Sequence, residues 1–450
     1  MTAVPSVPEP TKVLRLPAYE LYEARNICNQ TLRGFTETIY PETTLTLDPS
    51  GAAQFRIPGT TDWIDPNKSY IYMSGKFVGQ VPKKGDTALV DISDPNAEDF
   101  SWVNMLPQAY FKSVDVTVGN VSVTQNDSNY MYRAYLQTLL NTTAPALNTY
   151  MSTAGWVKDD GDWDGVDAKK NTALATRRKM INAKKECYFT FDIATPFFQI
   201  SKFLISDCDV TLKLQKNPNP AFYMMHSSSG SVDFQVTQIC LKLRKVTPNS
   251  DTLLELENKI ASSPLTYVLD DPRFIINSVQ AGETYIHREY VTSGHHPKRA
   301  IVVMLETEAY NGHAERNPFR FQHFNVGRVS LTKNGLEYPT PAITCDFANK
   351  NYVEAYRHLL ASLQADKSAF VPDITLKDFE NGAFILSWDM SPDQYGCDDP
   401  QMIVNRSSNI KLSIEFKTPL AKAVTLIFYY QLESRVTLNQ SLQVTIEAVG

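Results

Sequence analysis

Residues 329–360, VSLTKNGLEYPTPAITCDFANKNYVEAYRHLL, decide the fold prediction because they join a hairpin signal to a tyrosine-rich helix. Alternating apolar residues lead into Asn334-Gly335, the dipeptide favoured in a two-residue hairpin turn that needs positive φ. Residues 350–363 then place apolar side chains at helical spacing on one face. The stretch therefore predicts a β-hairpin followed by an amphipathic helix.

The same order of elements occurs in residues 114–140, VDVTVGNVSVTQNDSNYMYRAYLQTLL. Its hairpin turns at Gly119-Asn120, and its helix is predicted over 129–141. The two helices share one pattern of apolar positions, which is Tyr132, Tyr135, Leu136, Leu139 and Leu140 in the first and Tyr352, Ala355, Tyr356, Leu359 and Leu360 in the second. A repeated series of this kind predicts an internal duplication.

The rest of the chain has mainly strand patterns, with period-two alternation at 210–214 and again at 410–416. Each half then has about 200 residues of short strands with one helix, the size of a jelly-roll β-sandwich. We predict an all-β chain of two tandem jelly-roll barrels, each with a short helix. The predicted limits are an N-terminal arm at 1–44, a first jelly roll at 45–246 with an insertion at about 142–186, a linker at 247–263 and a second jelly roll at 264–450.

Charge and hydropathy exclude several classes of protein. The 43 Lys and Arg residues against 49 Asp and Glu residues leave a net charge of −6, so no polycationic surface for coating nucleic acid is expected. The longest purely apolar run, Ala300–Leu305, is far shorter than the roughly 20 residues that span a bilayer. Prolines interrupt residues 1–17 where a signal peptide would need an apolar core, so we expect a cytosolic or nuclear product.

Catalytic motifs are missing from the sequence. It contains no GxSxG, GxGxxG, GxxxxGK or HExxH, and its six cysteines form no CxxC pair. His287, His295 and His296 lack zinc-ligand spacing, and we predict exposed loop histidines rather than a metal site. We therefore expect no enzyme and no cofactor.

Residues 160–165, called here the acidic loop, contain the one motif with possible metal chemistry. Asp160, Asp162 and Asp164 match the start of a calcium-binding loop, whose alternating carboxylates can converge on one cation. The match fails at Asp167, where an apolar residue is expected, and at Asn171, where a bidentate Glu is needed. We predict a solvated acidic loop, with cation binding at the three carboxylates as the alternative.

Basic residues follow this loop closely. They are Lys169, Lys170, Arg177, Arg178, Lys179, Lys184 and Lys185. Because the chain is acidic overall, pairing with the acidic loop, within the subunit or across a contact between subunits, is favoured over binding of a polyanion.

Several stretches together resemble the double jelly-roll major capsid proteins of Polinton/Maverick elements, adintoviruses and virophages. In the second half these are NPFRF (317–321), VSLTKNG (329–335) and PTPAITCDFANKNYVEAYRHLL (339–360). In the first half they are AAQFRIPGTTDWIDPNKSYIYMSGKF (52–77), NYMYRAYLQTLL (129–140) and FDIATPFFQISKFLISDCDVTLKLQKNPNPAFYM (191–224). The likeness covers most of positions 45–445.

The resemblance implies a structural subunit of a virion, assembled inside the host cell in the cytoplasm or nucleus. It implies homotrimers with a pseudo-hexagonal outline that contact neighbouring capsomers, a penton protein and other minor capsid proteins and tile an icosahedral shell around a DNA genome. Insertions in such proteins decorate the outer surface or grip neighbours. No direct sequence-specific contact with nucleic acid and no membrane span are expected. The alternatives are a non-catalytic, lectin-like protein of two β-sandwiches and an enzyme on a duplicated sandwich.

Overall fold

The computed structural model describes residues 30–43, 51–124, 128–181, 185–205, 208–292, 297–365, 371–391, 408–439 and 444–448. The strands of the first half are β1 (Thr31–Ile39), β2 (Ala52–Ile57), β3 (Trp63–Pro82), β4 (Leu89–Asp91), β5 (Ser101–Trp102), β6 (Phe111–Val118), β7 (Val121–Ser122), β8 (Cys187–Asp192), β9 (Val210–Lys216), β10 (Met224–Met225) and β11 (Ser231–Pro248). Those of the second half are β12 (Leu265–Val279), β13 (Tyr285–Thr292), β14 (Arg299–Glu306), β15 (Val326–Lys333), β16 (Leu336–Thr344), β17 (Ile385–Asp389), β18 (Ser408–Phe416), β19 (Val424–Leu438) and β20 (Val444–Ala448). The helices are α1 (Leu106–Tyr110), α2 (Tyr130–Asn141), α3 (Ala144–Asn148), α4 (Thr172–Met180), α5 (Ser250–Ser262), α6 (Thr307–Tyr310), α7 (Val353–Ser362) and α8 (Leu376–Asn381).

Each half contains two main antiparallel sheets with the same strand order. The first half has sheets β1-β11-β3-β4, with β8 also paired to β3, and β2-β9-β6-β7. The second half has sheets β12-β19-β14-β17, with β20 also paired to β19, and β13-β18-β15-β16. If β4, β5, β10 and β20, which have no counterpart in the other half, are set aside, the remaining eight described strands of either half follow the orders 1-8-3-6 and 2-7-4-5 when numbered along the chain. This is the jelly-roll topology, so the predicted fold of two tandem jelly rolls is confirmed.

Both predicted hairpins are present. Val118 pairs with Val121 across the first turn, where Gly119 has a φ of 60°. In the second turn, Asn334 and Gly335 have φ values of 50° and 85°. A side chain with a Cβ is disfavoured at such angles, which explains why Gly and Asn occupy these turns.

The two tyrosine-rich helices are also confirmed. Helix α2 begins one residue after the predicted start, whereas α7 begins at Val353, three residues late. The delay has a local cause, because Lys350 has a φ of 56° and Asp346 pairs with Asn351 in an isolated bridge before the helix. Among the residues that the structure describes, no helix has both the length and the apolar content needed to cross a membrane.

Two predicted segments outside the barrels contain regular structure. The stretch predicted as an N-terminal arm includes β1, which pairs with β11 at the edge of its sheet. Because most side chains of β1 are exposed, its sequence carries no clear apolar alternation. The predicted linker is built mainly from helix α5. We propose that the first barrel begins at β1 and that α5 forms the connection to the second barrel.

Strand β14 has two buried faces, which shows where the barrels meet. Its first seven residues are buried, so neither face of the strand is open to solvent. The inner face packs within the second barrel, where Phe428 of the neighbouring β19 stacks on Tyr290 with ring centroids 4.2 Å apart. Toward the first barrel, Arg299 of β14 donates a hydrogen bond to the side chain of Asn141 at the end of α2 (3.4 Å). The outer face of this sheet is therefore covered by the first barrel.

Candidate functional site between the two barrels

The described part of the insertion, 142–181 and 185–186, contains two short helices. Helix α3 and helix α4 lie within it, and the side chain of Asn171 caps α4 by accepting a hydrogen bond from the N–H of Leu174 (2.9 Å). The last turn of α4 carries Arg177, Arg178 and Lys179. Cations at a helix C-terminus interact favourably with the helix dipole, which accounts for part of the basic run.

Two carboxylates of the acidic loop bind cations of the second half. Asp160 forms an ion pair with Lys377 of α8 at 2.9 Å. Asp164 accepts hydrogen bonds from Arg316, at 3.3 Å, and from Arg320. With an exposed fraction of 8%, Asp164 is buried rather than solvated as predicted, because the second barrel covers it. The insertion thus contacts the other barrel of its own chain.

The three carboxylates of the motif do not point toward one centre. Asp162 accepts a hydrogen bond from the backbone N–H of Asp164 (3.3 Å), while the side chains of Asp160 and Asp164 engage separate cations. Within the described part of the chain, no group of three or more His, Cys, Asp or Glu side chains could hold a metal ion. The geometry gives Asp160 and Asp164 a role in joining the barrels.

The ion pairs that the structure describes for the basic run lie within the insertion, but they go to Asp159 and Asp167 rather than to the acidic loop as predicted. Arg177 forms an ion pair with Asp159 at 2.8 Å, and both side chains are almost fully buried. Lys170 lies 3.9 Å from Asp167, an exposed pair of the kind that contributes little to stability. Arg178 lies over the ring of Phe100 instead, 4.3 Å from its centroid, and burial lowers the pKa of its guanidinium. Lys184 lies outside the described residues.

A second polar contact joins Lys158 to the segment around α8. Its ammonium group lies 2.8 Å from Asp373 and 2.9 Å from Asp378. Burial alone would lower the pKa of Lys158, but hydrogen bonds and charge attraction from the two carboxylates outweigh it and raise the pKa. Asp378 is itself fixed by a capping box with Thr375 at the start of α8.

Aromatic rings from the two halves stack beside these ion pairs. Tyr135 of α2 lies parallel to Phe319 of the second half, with ring centroids 4.1 Å apart and planes 6° from parallel. Tyr132 stacks on Tyr310 at 5.8 Å. Because burial removes the phenol from water, the pKa of Tyr135 lies well above its usual range. The tyrosines of α2 that belong to the repeated pattern therefore also hold the two halves together.

We call this set of contacts the inter-barrel clamp. It comprises Tyr132, Tyr135, Lys158, Asp160 and Asp164 of the first half with Tyr310, Arg316, Phe319, Arg320, Asp373, Lys377 and Asp378 of the second. The sequence motif NPFRF, at 317–321, lies at its centre, and the backbone N–H of Asn317 donates to Asp164 (2.9 Å). The motif and the acidic loop lie far apart in the sequence, and no local sequence pattern predicts that they meet.

Asp164→Asn is expected to lower the free energy of unfolding by about 2 to 3 kcal/mol, because two partly buried guanidinium groups lose an ion-pair partner. Arg316 keeps Glu306 and Glu308, at 3.7 and 3.9 Å, so most of the loss is expected at Arg320. Arg316 and Arg320 are each 29% exposed, so water compensates part of the loss. The midpoint of urea unfolding measures the effect, and the exposed Asp167→Asn is the matched control. Equal urea midpoints for Asp164→Asn and Asp167→Asn would contradict the expected contribution of the Asp164 contacts to stability. Added calcium is expected to leave the difference between the two urea midpoints unchanged.

Of the histidines weighed as zinc ligands, His287 lies in strand β13 rather than in the predicted loop. The Nδ1 atom of His287 lies 2.9 Å from the hydroxyl of Ser413, and its ring stacks on Tyr285. His295 and His296 lie outside the described residues. Another histidine, His323, stacks on Phe347 with centroids 3.6 Å apart, and burial lowers its pKa to about 4. These contacts are those of packed or hydrogen-bonded side chains.

No family model matches the sequence. An uncharacterized protein of Caenorhabditis elegans is 22% identical over 376 residues, which are 81% of this chain and 87% of that protein.

Solved structures of viral capsid proteins match nearly the whole chain. The structure of the Sputnik virophage has a TM-score of 0.62 at 12% identity and covers 99% of this chain and 94% of its own. The mavirus major capsid protein has a TM-score of 0.56 at 10% identity, covering 99% and 97%. The Faustovirus major capsid protein has a TM-score of 0.55 at 9% identity, covering 94% and 93%. The chain has the double jelly-roll fold of these proteins.

Proposed function

We propose that this chain is a viral major capsid protein that self-assembles into pseudo-hexagonal homotrimers, which tile an icosahedral shell around a DNA genome. The observation that carries the proposal is the presence of two barrels with the same strand order, joined by the inter-barrel clamp. Three such chains around one axis would bring six similar barrels into a ring. The full-length likeness to capsid proteins of virophages supports the same role.

The remaining parts of the proposal follow from this role. The protein acts without catalysis, resides in the virion and contacts neighbouring capsomers, a penton protein and minor capsid proteins. Assembly takes place inside the host cell. The net charge of −6 supports a shell in which other proteins contact the genome.

The mass of the purified protein in solution, combined with negative-stain images, tests the proposal. We expect the mass of three chains and particles with a hexagonal outline. Obligate contacts of this kind commonly bury on the order of 2,000 Å² or more, so the trimer should persist on dilution. A monomer at high concentration across a range of salt and calcium would contradict the capsid role. That result would favour the alternative of a two-domain binding protein.

A further inference from the structure

Helix α2 lies between the two barrels and is buried on almost every side. Ten of its twelve side chains are buried, among them Arg133, which is 2% exposed. Arg133 lies near Tyr429 on the outer face of β19, where burial raises the pKa of Tyr429 to about 12 and the positive charge of Arg133 offsets part of that rise. The hydrogen bond from Arg299 to Asn141 joins the same two elements. Helix α2 therefore lies against the outer face of sheet β12-β19-β14-β17.

Helix α7 is the counterpart of α2 in the second half, but one of its faces is open. Three of its ten side chains are buried, and these are Ala355, Leu359 and Ser362. Val353, which is 56% exposed, has the position in α7 that Arg133 has in α2, 220 residues earlier. Glu354 and Arg357 are exposed as well. The helix face that a barrel covers in the first half is thus uncovered in the second.

The first barrel has a sheet face that matches this open helix. Its sheet β1-β11-β3, with β8, has the same place in the topology as sheet β12-β19-β14-β17. Met73 of β3 points into the barrel, whereas Tyr72 lies on the outer face and stacks on Tyr188 of β8, with ring centroids 6.4 Å apart. Tyr188 is 63% exposed, and Tyr150, which is 56% exposed, donates a hydrogen bond to Asp192 at the end of β8. We call Tyr72, Tyr150 and Tyr188 the tyrosine face.

The composition of the two surfaces suits a contact between proteins. Tyrosine is enriched at protein interfaces, because its ring supplies apolar area and its hydroxyl can form a hydrogen bond. Lys242 and Asp192 lie beside the tyrosine face, in register with neighbouring positions of β3. The open face of α7 carries Glu354 and Arg357 around the apolar Val353. Each surface therefore has an apolar or aromatic centre and one charge of each sign, which allows opposite charges to meet.

We propose that the open face of α7 in one chain packs on the tyrosine face of a second copy. The contact repeats between chains what α2 does with the second barrel within each chain. This inference rests on the proposed capsid role and assigns the surfaces that join its trimer. Because each chain offers two different surfaces, the contact is head-to-tail, and contacts of this kind can close into a ring. A closed ring of three chains leaves neither surface open.

Sedimentation of two variants of the full chain tests the assignment. Tyr188→Lys places a charge on the tyrosine face and Val353→Asp places one on α7, both at exposed positions that folding tolerates. A central interface residue contributes roughly tenfold or more in affinity, so each variant should be a monomer at concentrations where the unmodified protein is a trimer. Tyr285→Lys on β13 and Met180→Asp on α4, at positions 46% and 56% exposed, are the matched controls and should remain trimers.

A mixture of the two variants gives a sharper test, because a head-to-tail contact uses one surface from each chain. The Tyr188→Lys variant keeps its α7 surface and the Val353→Asp variant keeps its tyrosine face, so one contact can form but the ring cannot close. We expect a complex of two chains, one of each variant, at concentrations where either variant alone is a monomer.

Circular dichroism of each variant checks that it is folded. If one is not, Tyr150→Lys or Arg357→Glu, at an exposed position of the same surface, takes its place. Variants that remain trimers, or a mixture that stays monomeric, would overturn the assignment of surfaces and leave the capsid role intact, because the unmodified protein would still be a trimer. A monomeric unmodified protein would overturn the capsid role and this inference with it.

Discussion

Replacing Asp159 with leucine is expected to lower the free energy of unfolding by about 3 to 5 kcal/mol. Asp159 and Arg177 pair at 2.8 Å, and their side chains are 1% and 0% exposed. Without the carboxylate, the guanidinium of Arg177 would remain buried with no counter-charge. Urea unfolding followed by tryptophan fluorescence measures the loss, because Trp156 and Trp163 are buried in the same insertion.

A double variant shows whether the unpaired charge is the cause. Asp159→Leu combined with Arg177→Met removes both charges and fills similar volume, so it should recover much of the lost stability. The exposed Asp167→Leu serves as a control, with an expected change within about 0.5 kcal/mol. A double variant no more stable than Asp159→Leu alone would refute the explanation by unpaired charge.

Phe319→Ala is expected to lower the free energy of unfolding by about 3 to 5 kcal/mol and to loosen the contact between the barrels. Phe319 is 1% exposed and stacks on Tyr135, while Tyr132 meets its ring edge-on with centroids 6.1 Å apart. The substitution leaves a cavity between the two halves and removes a stacked pair, which contributes about 0.5 to 1.5 kcal/mol beyond its buried area.

Two measurements check this effect. The urea midpoint gives the stability, and the radius of gyration from small-angle scattering reports whether the barrels separate. Phe203→Ala, at a ring that is 39% exposed, is the control and should change both quantities far less. Similar losses for Phe319→Ala and Phe203→Ala would mean that the stack contributes no special stability to the barrel contact.

The repeated elements could be predicted because their signals are local. The turns at Gly119 and Asn334 need positive φ, and helices α2 and α7 repeat apolar residues every three or four positions. The sequence pattern does not predict strand β1, because this strand lies at a sheet edge and most of its side chains are exposed. Its presence depends on pairing with β11, which no pattern within its own nine residues records.

The site between the barrels could be predicted only in pieces. Asp160 and Lys377 are 217 positions apart, and Asp164 and Arg320 are 156 apart, so no spacing rule connects them. The acidic loop resembles the start of a calcium site, yet Asp160 and Asp164 pair with lysine and arginine.

The inter-barrel clamp breaks the equivalence of the two copies. Two of its charged contacts join the insertion of the first half to α8 and to the loop around Arg316 in the second. In these pairs the first half supplies the carboxylate and the second half supplies the cation. Recombination between two related genes within α5 would join the insertion of one parent protein to α8 and the loop around Arg316 of the other. Such hybrids would carry mismatched charges unless both sides had changed together. We therefore expect substitutions on one side of the clamp to constrain those that the other side accepts.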